Sequence, residues 1–396
     1  MRAVGIVAEY NPFHFGHLYQ IRSVRAKYGQ DTPIIAVMSG DFVQRGEAAA
    51  YDKFVRAEAA VRCGVSLVIE LPLPWSLSSA EGFARGAVGL LGATGVTDTV
   101  SFGSESADAD ALQKAAAVLE TAEFSDALKE ELSGGTPFAA ARARAAHRIL
   151  GDAAAVLDTP NDLLAVEYIR ASQSLGYTFN YYPVLRQGAE HDGPGSASEL
   201  RAILRQNGSL HNLIPADAET AFFRAEAAGR GYVSPEDLRL PLMARLRERQ
   251  PEDFASVPDG GEGLEYRLYD ASRKGASPEE VAGLAKSKRY ALSRMRRMVM
   301  CAALGVRRGD ADGIPPYLRV LAFDEKGSAL LHEMRTAASV PVIVKSAHIR
   351  DEDERAKYIF SLGSRAHDLY VLVRRNAAEQ AADADYRATP FILKGE

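Results

Sequence analysis

Cysteine is almost missing: the chain of 396 residues has two, Cys63 and Cys301. Two thiols that far apart make neither a disulfide framework nor a cysteine-built zinc site, and they fit a reducing cytoplasm. Long apolar runs are missing as well. No stretch approaches the roughly 20 apolar residues of a membrane span, and the apolar opening, residues 3–8, is too short for a signal peptide. A cytoplasmic protein with no membrane partner is expected. Excess positive charge is also lacking: 47 Lys and Arg against 52 Asp and Glu leave a net charge of −5. Any nucleic-acid contact must therefore come from a local basic patch. There is no internal repeat, and the one compositional bias, toward alanine, favours helix. What remains is ordinary globular composition, 47 % hydrophobic and 25 % charged, at a length that exceeds one core and implies at least two domains.

The first half alternates strand-like and helix-like segments. Apolar runs at residues 3–8, 33–38, 66–70 and 97–102 read as buried parallel strands. Helical patterns at 18–28, 51–63 and 78–91 separate them. This rhythm predicts an α/β fold with a doubly wound parallel sheet, whose ligands bind at the carboxyl ends of the strands. Residues 108–150 read as an alanine-rich helical insertion, 177–185 as a further strand and 198–206 as a helix. Beyond about 215 the rhythm gives way to helices at 219–229, 241–250, 278–284 and 289–304, and a final stretch alternates again at 318–322, 340–344 and 368–372. The expected division is a catalytic domain over 1–210 and a mainly helical C-terminal region over 211–396.

The strongest chemical signal is Glu9-Tyr10-Asn11-Pro12-Phe13-His14-Phe15-Gly16-His17, after the first strand and before a helix. Gly16 lets a phosphate approach the backbone, and the helix offers unpaired N–H groups and a positive dipole end. His14 and His17 can donate hydrogen bonds to phosphoryl oxygens as charge builds in displacement at phosphorus. A His-x-x-His pair is also compatible with half a metal site, but its place in a β–α unit favours nucleotide chemistry. A second signal, Ser196-Ala197-Ser198-Glu199-Leu200-Arg201, opens a later helix. Alone it reads as a capping serine and a surface arginine. Paired with the first motif it resembles the second motif of HxGH nucleotidyltransferases, and that resemblance implies that Ser196, Ser198 and Arg201 grip the β- and γ-phosphates.

Other clusters sit at strand ends. Gly103, in Ser101-Phe102-Gly103-Ser104-Glu105, would admit a nucleoside against bare backbone. Asn161 either caps a helix or touches the ligand, and Arg186 is a candidate nucleotide contact. His191 and Asp192 can order the loop that follows it. In Ser39-Gly40-Asp41-Phe42-Val43-Gln44-Arg45-Gly46-Glu47, Asp41, Gln44 and Arg45, with Lys53, are candidates for the second substrate or the phosphates, or form ordinary surface ion pairs. Asp41 is the catalytic candidate of this loop. A run from Lys286 to Arg297 carries Lys286, Lys288, Arg289, Arg294, Arg296 and Arg297 and no acid, with Tyr290 available for stacking. A one-signed run of this kind points to RNA phosphates.

Together these segments resemble the bacterial tRNA(Met) cytidine acetate ligases of the HxGH nucleotidyltransferase superfamily. The likeness lies in residues 4–17, 39–47, 68–72, 101–105 and 160–162, and in Lys288-Arg289-Tyr290 with Arg294-Met295-Arg296-Arg297. It extends to about Phe323. The resemblance implies a two-step reaction in which acetate and ATP give acetyl-adenylate and pyrophosphate. The wobble cytidine of elongator tRNA(Met) then takes the acetyl group as N4-acetylcytidine. It also implies catalytic roles for His14 and His17, and ATP contacts from Val7, Glu9, Asn11, Pro12, Gly16, His17 and Gln20, with Gly103, Asn161 and Arg186. Mg²⁺ is expected to ride on the nucleotide, since no carboxylate cluster suggests a dedicated metal cage. Residues 189–191 and Ala8 depart mildly from the family pattern. A small-molecule adenylyl- or cytidylyltransferase of the same superfamily is the alternative; the basic run counts against it.

Overall fold

The computed structural model describes residues 2–136, 138–186, 195–261, 263–288 and 290–395. Strand β1 (Ala3–Ala8) leads into helix α1 (Phe15–Tyr28), β2 (Ile34–Ser39), α2 (Lys53–Arg62), β3 (Leu67–Leu71), α3 (Ala80–Ala93) and β4 (Thr97–Ser104). Every residue of β2 and β3 is buried, as parallel strands covered on both faces require. Helix α4 (Pro160–Ser174), strand β5 (Asn180–Leu185) and helix α5 (Ala197–Arg205) complete the alternation. Residues 108–150 form three helices that share the core with α4, as the alanine bias suggests.

The sheet does not end with this half of the chain. Strands β6 (Leu318–Phe323), β7 (Val342–Ile343) and β8 (Phe391–Ile392) extend it to eight strands. The order is β8-β6-β3-β2-β1-β4-β5, with β7 also on β6. The last three run parallel to one another and antiparallel to β3. A boundary at residue 210 therefore does not separate two sheets, because the C-terminal segment finishes the N-terminal one. Helices from 239 to 304 gather around a separate apolar cluster that includes Leu246, Phe254, Leu268 and Met298. Residues 368–372, whose alternation suggested a strand, instead end helix α7, counting Leu292–Leu304 as α6 and Glu354–Val371 as α7. Tyr370 and Val371 are buried there on a helix face, which a short apolar run cannot distinguish from a strand.

Register fixes what lies at the carboxyl edge. Ala8 pairs with Met38, and Met38 with Glu70, so the loops after β1, β2 and β3 leave the sheet at one level. Beneath them lies a network of buried charge. Lys53 Nζ donates to Glu70 Oε1 at 2.8 Å and to Asp385 Oδ2 at 2.9 Å. Arg319 pairs with Asp385 Oδ1 at 2.9 Å and faces Glu70 Oε2 at 3.5 Å. All four residues are buried. These contacts fasten the C-terminal segment to the end of β3. Their contribution lies mainly in not leaving a charge unpaired.

Asp385→Ala strands Lys53 and Arg319 without their shared carboxylate. It should cost about 3–5 kcal/mol of unfolding free energy in urea denaturation; a loss below about 1 kcal/mol would mean that water or another group compensates.

Candidate active site

The polar segment after β1 turns at Tyr10, whose φ of 47° lies in the left-handed region. Helix α1 begins earlier than its apolar pattern suggested, at Phe15, because His14 caps it. The Gly16 amide donates to His14 Nδ1 at 3.0 Å, and the His14 amide donates to His17 Nδ1 at 3.2 Å. Both Nδ1 atoms therefore accept, so each neutral ring carries its proton on Nε2. The rings lie 3.8 Å apart between centroids, and Tyr10 packs edge-on to His17. Burial, with Arg186 and Arg201 nearby, pushes His14 down to about 4. Burial, then His14 and Arg186, holds His17 well below the usual imidazole range. The pair is a set of two neutral Nε2–H donors at neutral pH.

These histidines line a cleft of about 620 Å³ at the carboxyl edge of β1, β4 and β5. It brings together almost every residue expected at the nucleotide: Val7, Glu9, Asn11, His14, Gly16, His17, Gln20, Gly103, Asn161, Arg186, Ser196, Ser198 and Arg201. Pro12 is the exception, buried behind the turn and outside the lining. Arg186 lies beside Gly103, and its amide donates to the Ser104 carbonyl at 3.0 Å. Ser196 is the N-cap of α5, accepting from the Glu199 amide at 3.2 Å. Arg201 donates to the Asn11 carbonyl at 2.8 Å and reaches Ser198 Oγ at 3.5 Å. The two half-motifs, 190 residues apart, are thus in direct contact. Residues 187–194, with His191 and Asp192, lie outside the described residues.

Asn11 Oδ1 accepts from the Ala50 amide at 2.7 Å, while its buried Nδ2 has no partner. Asn161 faces the cleft and also donates to Glu105 Oε1 at 2.5 Å. Glu105 accepts from the Asp162 amide at 3.0 Å, and Asp162 accepts from the amides of Glu105 and Ser106. This reciprocal capping holds the end of β4 against the start of α4. Glu9 accepts from the Gln44 amide at 3.0 Å, which draws the loop after β2 to the cleft, where Gln44 and Arg45 join the lining. Burial raises the Glu9 pKa.

Asp41 is not in this lining. It is buried, accepting from the Lys53 amide at 2.8 Å and from His367 Nδ1 at 2.7 Å. Burial alone would raise its pKa, but His367 and then Lys53 hold the carboxyl well below the usual range. Its expected catalytic place is corrected, because α7 covers it. Lys53 likewise serves the buried network. Arg56 was not singled out in the sequence at all. Fully buried, it donates to the carbonyls of Tyr51 (2.8 Å), Glu9 (2.6 Å), Ser39 (3.1 Å) and Gly40.

The basic run is also modified by its neighbours. Arg296 makes two bonds to Glu279, at 2.6 and 2.5 Å, and Arg294 donates to the Asp259 carbonyl at 3.0 Å while lying over the Tyr290 ring. Burial lowers the Arg297 pKa, opposed by Asp259. Lys286 and Lys288 are exposed, and Arg289 lies outside the described residues. The run nonetheless reaches the cleft. At Gly46 (φ +76°) a Cβ would come within 2.6 Å of the Arg296–Arg297 backbone, so the loop carrying Gln44 and Arg45 presses directly on α6.

Paired histidines at the first strand end of a mostly parallel sheet define a nucleotidyl transferase. The family model described as HIGH Nucleotidyl Transferase matches residues 1–385, and the chain belongs to this family. A tRNA(Met) cytidine acetate ligase of Thermoanaerobacter sp. (strain X514) is 36 % identical over 398 residues, 97 % of this chain and 98 % of that protein. The Thermotoga maritima protein of the same name is 34 % identical over 418 residues, 98 % of this chain and 100 % of its own. The crystal structure of Thermotoga maritima TmcAL bound with alpha-thio ATP superposes with a TM-score of 0.93 at 33 % identity, over 100 % of both chains. Within its family the chain therefore stands among the tRNA(Met) cytidine acetate ligases.

The histidine geometry has a direct signature. Nitrogen-15 NMR at neutral pH should report both rings as neutral Nε2–H tautomers, with His14 protonating only as the pH approaches about 4. Because the folded-state values are depressed, these rings should cost stability progressively as pH falls below the ordinary imidazole value of roughly 6.5. An Nδ1–H tautomer or a charged ring at pH 7 would contradict the capping arrangement.

Proposed function

We propose that the chain is an ATP-dependent ligase that activates acetate as acetyl-adenylate and transfers the acetyl group to N4 of the wobble cytidine of elongator tRNA(Met). The observation that carries this reading is the contact between the two motifs across one cleft, with a basic helix start pressed against the cleft's own loop. In the first step an acetate oxygen bonds to the α-phosphorus, and the bond to the bridging oxygen breaks as pyrophosphate leaves. The Nε2–H groups of His14 and His17 donate to the phosphoryl oxygens as charge accumulates, and being neutral and preorganised they need no proton transfer to do so. Ser196, Ser198, Arg201 and the start of α5 hold the outer phosphates. Mg²⁺ bound to the triphosphate would offset its charge.

Asn11 lines the cleft, its Oδ1 is already engaged and its buried Nδ2 has no partner, so Nδ2 is the donor assigned to the acetate carboxylate. In the second step the cytidine amine attacks the acetyl carbon, AMP leaves with the electron pair, and the amine loses a proton. Lys286 and Lys288 meet the tRNA backbone. The pairing of Arg296 with Glu279 leaves that arginine the weaker candidate.

Acetate-dependent ATP–pyrophosphate exchange tests the first step: wild type should exchange only with acetate, and His17→Ala should lose about 10²–10³ in rate. Exchange that ignores acetate would overturn the assignment. Lys286→Glu with Lys288→Glu should leave exchange intact but weaken tRNA binding and lower its salt slope by about one per lost phosphate contact. Unchanged tRNA affinity would move the RNA surface elsewhere.

A further inference from the structure

Apart from the nucleotide cleft, a cavity of about 380 Å³ opens between the first turn of α2, Arg230 and the chain that follows α7. Its walls include Phe54, His367, Arg374 and Arg387, with Glu379 as the carboxylate among the lining residues. Arg374 is 7 % exposed; it donates to Asp52 Oδ2 at 2.6 Å and to the Glu379 carbonyl at 3.1 Å, yet its buried Nε has no partner. The buried Nε of Arg230 is likewise unpartnered. His367 donates its Nδ1–H to Asp41, so its Nε2 is a donor in the protonated ring, the form that the Asp41 carboxylate favours against burial.

The charge at this cavity does not balance. Arg374 is matched by Asp52 and by Glu379, at 3.7 Å, and His367 is matched by Asp41. Arg230 and Arg387 have no carboxylate within ion-pair distance among the described residues, and Arg387 donates only to the Ala381 carbonyl, at 3.2 Å. Two unmatched guanidinium groups, with buried donors that have no acceptor, call for a multiply charged oxyanion. A monocarboxylate would satisfy one guanidinium and leave the other.

We propose that this cavity is a second anion site, separate from the ATP cleft, that binds a small phosphate-class anion: inorganic phosphate or pyrophosphate. Through His367 and Asp41 it is one side chain removed from the loop that carries Gln44 and Arg45 into the nucleotide cleft.

Calorimetric titration of the full chain, with the nucleotide cleft saturated by alpha-thio ATP, reads this site alone. Phosphate and pyrophosphate are titrated separately, with nitrate, which is no substrate for the ligase reaction, as the monoanion control. The expected result is one saturable phosphate-class site per chain, at least about tenfold tighter than nitrate, and the tighter of the two probes identifies the source. Arg230→Gln with Arg387→Gln should weaken it by at least about tenfold, while the melting temperature and ATP–pyrophosphate exchange stay unchanged. If that double variant melts early, Arg387→Gln alone, at an exposed position, should still weaken binding. No saturable binding to wild type, equal affinity for nitrate, or an unchanged affinity in a folded variant overturns the proposal. Binding is read without turnover, so failure of the ligase assignment would leave this result standing.

Discussion

One buried guanidinium, that of Arg56, sets the geometry at the carboxyl edge of the sheet. The loops after β1 and β2 leave the sheet side by side, and their first carbonyls point into protein, where an unmet acceptor is costly. Arg56 satisfies Glu9, Ser39 and Gly40 at once, and Tyr51 just before its own helix. A planar, permanently charged donor can serve several carbonyls in fixed directions, which a lysine cannot. From that anchorage the rest follows. Glu9 is held where it accepts the Gln44 amide, the Asn11 turn is held where Arg201 reaches its carbonyl, and α1 starts on a capping histidine.

The second constraint is closure of the sheet by the end of the chain. Lys53 and Glu70 would be buried, mismatched charges without Asp385 and Arg319. The catalytic edge is therefore completed by residues more than 200 positions away, and the helical module between them is carried on the same scaffold. Its basic end is pressed against Gly46, whose backbone admits no side chain there. Nucleotide cleft and basic surface are parts of one assembly, which suits a reaction whose activated intermediate is delivered to a large polyanionic acceptor.

What could be read in the sequence was local. The strand–turn–helix at His14 to His17 announces itself because glycine, cap and apolar run lie within a few residues. Gly103 and Arg186 lie at the ends of strands recognisable by their apolar content, so their place at the carboxyl edge could be inferred, whereas Asn161 opens a helix. Arg56 was invisible, since it sits in a helical pattern with nothing to say that its side chain turns inward. Asp41 was misplaced because its partner His367 is 326 positions distant. The basic run appeared free of acid only because Glu279 belongs to the preceding helix and meets Arg296 in three dimensions. Strands β6 and β7 are visible as apolar alternation and β8 is not, and the joining of all three to the first sheet depends on contacts no local pattern reports.

The central claim is that this cleft joins acetate, ATP and a tRNA cytidine in sequence. Its most direct test is incubation of the purified chain with radiolabelled acetate, ATP and unmodified elongator tRNA(Met), followed by nucleoside digestion. The account predicts label in N4-acetylcytidine, dependent on ATP and lost in His17→Ala. Consumption of ATP with no label in the tRNA, or label in a different nucleoside, would contradict it.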